Sequence, residues 1–226
     1  MAGALWVAAT GGTGPDGIPH AALAAASGIC LYWAGLVMND LADFVEDMRE
    51  RPERPLPEGR ISQGAALGGA MVFLVAGLSF AFAAHALMNG LLLAALILLY
   101  NGGLKQNAWS GALAMGGCRA AHVLLGASAM AAGADCWGGE TGMAAGGAAA
   151  IIGGYIAVVT ALARHEATPG SRITPQRIGL LLGLLIPLQA GIGVCAFGCW
   201  PWNLVALLLL GLIPLHRYGA KFFSPS

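Results

Sequence analysis

One stretch of this chain decides its fold and the place of its chemistry: Asn39-Asp40-Leu41-Ala42-Asp43-Phe44-Val45-Glu46-Asp47. It directly follows the apolar run 29–38, so its carboxylates lie at the end of a membrane-type helix. Asn39, Asp43 and Asp47 are spaced i, i+4, i+8, which places them on one face of a continuous helix, with Asp40 beside them. We call these four residues the acidic ladder. Because like charges so close repel, the pattern predicts a cation among them, and Mg²⁺ shared with a substrate phosphate suits oxygen ligands.

The composition points to a membrane protein. Of the 226 residues, 58% are hydrophobic and 10% are charged, whereas in a soluble domain about a quarter are charged. The net charge is zero, so no nucleic-acid partner is indicated. The 35 glycines include those of segments 64–68 and 111–116, where we expect small residues to let transmembrane helices approach closely.

Apolar segments along the chain predict an all-α polytopic transmembrane bundle of about 7–8 spans, since each crossing needs about 20 apolar residues. The segment 1–10 is too short to cross, so it is either half-buried or the remainder of a truncated N-terminal helix. The whole chain, 1–226, is expected to form a single domain. The other spans are predicted near 21–41, 62–86, 88–104, 109–132, 143–163, 176–197 and 202–217.

Basic residues alternate between the two sides of this predicted bundle. Apart from Arg119, every Lys and Arg falls in the 42–61 loop, at Lys105, in the 164–177 loop or in the C-terminal tail. The positive-inside rule places these four segments in the cytoplasm. We therefore expect the acidic ladder, Lys105 and the Arg164-His165-Glu166 segment to meet at one face of the membrane.

The ladder also carries a family resemblance. The pattern Asn-Asp-x-x-Asp-x-x-x-Asp at 39–47, followed by Arg54-Pro55-Leu56-Pro57-Glu58-Gly59-Arg60-Ile61-Ser62, resembles the first aspartate-rich motif and loop of the UbiA superfamily of intramembrane prenyltransferases. The resemblance implies an integral protein of the bacterial inner membrane with its active face in the cytoplasm. It also implies Mg²⁺-dependent transfer of a prenyl group from a polyprenyl diphosphate to a lipophilic acceptor, usually aromatic.

The resemblance and the charge pattern together give the expected site residues. Tyr100-Asn101-Gly102-Gly103-Leu104-Lys105 resembles the Tyr/Lys pair that ends the family's fourth helix. The expected catalytic residues are Asp43, Asp47 and Lys105. The expected metal ligands are Asn39, Asp40, Asp43, Asp47 and Glu166. The expected diphosphate-binding residues are Asn39, Arg54, Arg60, Tyr100, Lys105, Arg119 and Arg164.

The chain departs from the family at the second aspartate motif. No aspartate follows Asp135, and Ala163-Arg164-His165-Glu166-Ala167 stands in its place, so Glu166 is the remaining carboxylate. This segment, read as Tyr…Leu-x-Arg-x-Glu, resembles the EboC branch of UbiA-like proteins. The departure motivates an alternative function, in which a catalytically impaired protein binds a prenyl or phospholipid-type ligand and assists metabolite transport or maturation.

Arg119 and His122 lie inside a predicted span, where an ionisable residue marks either function or a tie between helices. Their i, i+3 spacing puts them on one face, which should point into the bundle. Two other classes fit less well. A CDP-alcohol phosphotransferase would carry Asp-Gly-x-x-Ala-Arg, which is absent from this chain, and a secondary transporter would need paired broken helices.

Overall fold

The computed structural model describes residues 17–130, 139–166 and 173–196, together with Leu210. These residues form seven α-helices and no strand, so the all-helical prediction is confirmed. A 3₁₀-helix, Leu104–Gln106, lies between the fourth and fifth of these helices. The α-helices are α1 Gly17–Ala42, α2 Phe44–Glu50, α3 Gln63–Ala83, α4 Leu87–Asn101, α5 Ala108–Met130, α6 Gly139–Glu166 and α7 Pro175–Ala196.

Each of the six spans predicted between 21 and 197 corresponds to a helix, while the predicted segments 1–10 and 202–217 lie outside the described residues. Within the described ranges, four helical segments are long and apolar enough to cross a bilayer, and α4 is a shorter apolar helix. The four segments are Pro19–Ala42, Gln63–Ala83, Gly142–Arg164 and Pro175–Ile192.

The core of the bundle lies where α1 packs against α3, α4 and α5. Leu31, Leu93 and Leu125, one each from α1, α4 and α5, are fully or almost fully buried there among alanines. On its other side α5 packs against α6, which in turn packs against α7. The central position of α5 brings polar groups on it within reach of α1.

Close helix packing confirms the predicted role of small residues in segment 111–116. A Cβ built on Gly153 would lie 2.8 Å from the carbonyl oxygen of Gly116, so α5 and α6 touch backbone to backbone at this point. The glycines of segment 64–68 make no such close approach within the described residues. Cβ atoms built on Gly64 and Gly68 would meet nothing within 4 Å among the described residues.

The predicted span 88–104 ends earlier than its apolar pattern indicates. We predicted 88–104, but α4 stops at Asn101, and Gly103 has φ 149°, which is accessible to glycine and strained for other residues. The chain then turns through the 3₁₀-helix, and the Asn107 side chain caps α5 by accepting a hydrogen bond from Trp109 N at 2.9 Å. This turn directs Lys105 toward the end of α1.

Candidate active site at the acidic ladder

The backbone keeps the ladder on one helical face. Between α1 and α2, Asp43 N donates to Asn39 O at 2.9 Å and Asp47 N donates to Asp43 O at 2.8 Å, so the i→i−4 bonds continue across the junction. The Asn39 side chain donates to Asp43 Oδ2, also at 2.9 Å. The shared face predicted from the spacing is therefore present, and it extends beyond the last residue of α1.

Lys105 contacts two residues of this face. Its Nζ donates to Asn39 Oδ1 at 3.2 Å and forms a salt bridge with Asp43 Oδ1. The Lys105 side chain is 16% exposed and that of Asp43 is 28% exposed, so solvent screens the pair incompletely. Lys105 and Asp43, 62 positions apart in the sequence, thus meet at one end of the bundle. The distribution of basic residues predicted that both lie at this end.

Arg54 neutralises the far end of the ladder. Its Nη1 donates to Asp47 Oδ2 at 2.7 Å and lies 3.7 Å from Asp40 Oδ1. The Asp47 side chain is 7% exposed, whereas that of Asp40 is 54% exposed. The hydrogen bond to Asp47 raises the pKa of the Arg54 guanidinium, so this arginine stays charged at any working pH.

The ladder therefore holds three carboxylates and two of the protein's own cations. Within the described ranges, no group of three or more His, Cys, Asp and Glu side chains is arranged to hold a metal ion. The donor chemistry nevertheless fits Mg²⁺, since carboxylate and amide oxygens are the ligands it takes. A dication at the ladder would need Lys105 or Arg54 to give up its present carboxylate contact.

Two predicted diphosphate ligands make other contacts. Arg164 Nη2 donates to the backbone carbonyl of Lys105 at 2.6 Å, so it holds the lysine's backbone in place. Arg60 pairs with Glu58 at 2.6 Å on the exposed surface of the 51–62 loop. The backbone of Glu166 closes α6 near the same end, while its side chain lies outside the described part of the structure.

A cavity of about 280 Å³ lies beside the ladder, between α1, α4 and α5. Three residues selected from the sequence, Asn39, Tyr100 and Arg119, line it, and so does Asn101, which was not selected. Asn101 Nδ2 donates to Ile97 O at 3.0 Å, and its Oδ1 is buried without a hydrogen-bond partner in the described part of the chain. Its place next to Tyr100 was the available signal, but only the fold reveals the unpaired oxygen.

A family model described as the UbiA prenyltransferase family matches residues 1–225. The chain belongs to the UbiA prenyltransferase family. As a member of this family with long apolar helices, it is an integral membrane protein. The chain is also 36% identical over 95 residues to digeranylgeranylglyceryl phosphate synthase from Methanoregula boonei. That match covers 41% of this chain and 34% of the relative, so it spans about a third of the relative's length. No solved structure matches the chain.

Proposed function

We propose that this protein transfers a prenyl group from a polyprenyl diphosphate to a lipophilic acceptor, at the cytoplasmic face of a bacterial inner membrane. The observation that carries the proposal is the meeting of Asn39, Asp43 and Lys105 beside a cavity that Asn39 lines. Family membership supports the same reaction class. The name of the partial relative, which describes a lipid with geranylgeranyl groups, supports an isoprenoid donor.

The residues at the ladder suit the release of diphosphate. Lys105 presents an ammonium next to Asn39, which lines the cavity, and Arg54 presents a planar guanidinium that can bind phosphate oxygens in pairs. Arg164 fixes the Lys105 backbone through its carbonyl, so the ammonium is held in position before substrate arrives. Such preorganised cations stabilise the negative charge that grows on a departing diphosphate.

Mg²⁺ is part of the proposal, with Asn39, Asp40, Asp43 and Asp47 as its ligands and Glu166 as a further carboxylate candidate. When bound, the ion would supply charge neutralisation on the diphosphate oxygens. Tyr100, which lines the cavity, would offer a hydroxyl to the same phosphate. The apolar walls, including Leu36, would hold the allylic carbon away from water.

The proposal is tested by measuring diphosphate release in detergent, with Mg²⁺, several prenyl diphosphates and a mixed panel of acceptors. We expect Asp43→Ala and Asp47→Ala to abolish release. Glu46→Ala is the matched control, because Glu46 lies on the same helix as Asp47 but is exposed and off the ladder face. Normal turnover in both ladder variants, at normal expression, would refute the mechanism.

A second candidate function is binding without turnover, in support of metabolite transport or maturation. The end of α6 supplies Arg164 in place of a second aspartate motif, and its guanidinium is engaged with the Lys105 carbonyl. A protein of this kind would bind prenyl diphosphate and release no diphosphate with any acceptor. Rapid release would exclude this function.

A further inference from the structure

Arg119 lies at the centre of α5, which the sequence predicts to span the membrane. It has 11 residues of Ala108–Met130 on each side, which places it about 16 Å from either end at 1.5 Å per residue. The helix packs against α1, α4 and α6. A guanidinium at this depth is costly to leave unpaired, and such residues face partners, cavities or substrates.

Helix geometry separates Arg119 from the ladder. His122, one turn further along α5, reaches the Gly28 carbonyl of α1, so these two residues share a level in the bundle. Asn39 lies 11 residues beyond Gly28, and Arg119 lies three residues from His122 in the same direction. At 1.5 Å per residue, the backbone of Arg119 is therefore about 12 Å deeper than that of Asn39.

The protein offers Arg119 no compensating charge among the residues that the structure describes. Arg119 has no hydrogen bond or salt bridge in that part of the chain. Two nearby backbone carbonyls, those of Cys118 and Gly28, face the ring nitrogens of His122 at 3.2 Å each. His122 thus ties α5 to α1, as one of the sequence-based alternatives expected, but that tie does not include Arg119.

Arg119 instead separates two cavities. The cavity beside the ladder and a second one of about 280 Å³, lined by Ala21, Ala25 and Gly126, share Tyr32, Arg119 and His122 in their walls. The positively charged wall at Arg119 is a poor surface for an isoprenoid chain, because hydrocarbon would lie against an unsolvated cation. It is a good surface for an oxyanion, which the planar guanidinium can bind through two hydrogen bonds.

We propose that Arg119 binds an oxyanionic group, carboxylate or phosphate, of the acceptor substrate. This assignment rests on the proposed function and replaces the expectation that Arg119 binds the diphosphate. The ladder already has Lys105 and Arg54 for that group, and Arg119 lies about 12 Å of helix rise beneath it. The acceptor's apolar body would lie along the wall between the two polar ends, next to Tyr32. The protein then selects acceptors that carry a negative charge at the end remote from the prenyl donor.

The test uses the full chain in detergent and compares the binding of 2-naphthoate, 2-naphthyl phosphate and neutral 2-naphthamide. We expect at least one anion to bind the wild type about tenfold or more tightly than the amide, since one charge-assisted contact is worth that much. The anion that shows the preference identifies carboxylate or phosphate as the group bound. Arg119→Met should remove the preference. Arg119→Lys, which keeps the charge without the forked donors, should retain part of it if the methionine variant does not fold.

Binding of geranylgeranyl diphosphate with Mg²⁺ is measured in parallel on the same variants and on Asp43→Asn. We expect Asp43→Asn to weaken diphosphate binding and to leave the preference for naphthyl anions intact. Arg119→Met should show the reverse pattern. Equal binding of the anions and the amide by the wild type would overturn the proposal, as would an Arg119→Met loss of diphosphate binding equal to that of Asp43→Asn. If Asp43→Asn leaves diphosphate binding unchanged, the proposed function fails while the anion preference is still measured separately.

Discussion

Replacing Lys105 by Met removes the ammonium that Asn39 and Asp43 share and leaves the Asp43 carboxylate with the Asn39 amide alone. Asp43→Asn does the converse and leaves the ammonium without a carboxylate. The two side chains are 16% and 28% exposed. The pair therefore lies between exposed salt bridges, which contribute about 0–1 kcal/mol, and buried ones, whose loss costs about 3–5 kcal/mol. We expect each single variant to lower the free energy of unfolding by about 2 kcal/mol.

The double variant separates the charge pair from other effects of the substitutions. With both charges removed, no uncompensated charge remains, so Lys105→Met with Asp43→Asn should be about as stable as either single variant, a coupling of about 2 kcal/mol. Unfolding free energies from SDS titration in mixed micelles measure all four proteins. Single-variant effects that add within about 0.5 kcal/mol would refute the pairing, because independent sites add in this way.

Three further outcomes are expected. Arg54→Gln leaves the almost fully buried Asp47 without its partner and should lower the unfolding free energy by about 1–2 kcal/mol. Arg60→Gln breaks an exposed pair and should change the unfolding free energy by less than about 0.5 kcal/mol in the same titration. Gly111→Ala would place a Cβ 2.5 Å from Arg164 Nη2. Although no ladder residue changes, this variant should bind Mg²⁺–prenyl diphosphate several-fold more weakly in calorimetry. Unaltered affinity would contradict a positioning role for Arg164. Removal of divalent cations with EDTA should stop diphosphate release and added Mg²⁺ should restore it, whereas release that persists in EDTA would contradict the metal requirement.

Sequence reasoning reached the ladder and its lysine because both depend on rules that act over long ranges. Helical spacing fixes which carboxylates share a face, and the distribution of basic residues fixes which loops share a side of the membrane. Together these placed Asp43 and Lys105 at the same end of the bundle, where the structure has them in contact.

Contacts of individual side chains were not predictable in the same way. Arg164 was expected to bind phosphate, but its guanidinium reaches the Lys105 carbonyl through space that Gly111 leaves free. Asn101 was overlooked because its buried oxygen, which has no hydrogen-bond partner among the described residues, is oriented by the hydrogen bond of the amide nitrogen to Ile97 O. Each depends on the packing of α4, α5 and α6, which hydropathy and charge patterns leave undetermined.

The two polar ends of the cavity differ in how their charge is balanced, and this difference orders the events of the proposed reaction. At the ladder, three carboxylates already face Lys105 and Arg54, so a metal ion arriving alone must compete with cations that the protein holds in place. A metal ion that arrives with a diphosphate brings its own anion, to which the lysine and arginine can turn. Metal and prenyl diphosphate should therefore bind together, more tightly than either alone. At the other end, Arg119 has no carboxylate partner among the described residues, so an anionic acceptor can bind there without displacing a contact. The proposed acceptor site is thus preformed, whereas the proposed donor site would be assembled by its own substrate.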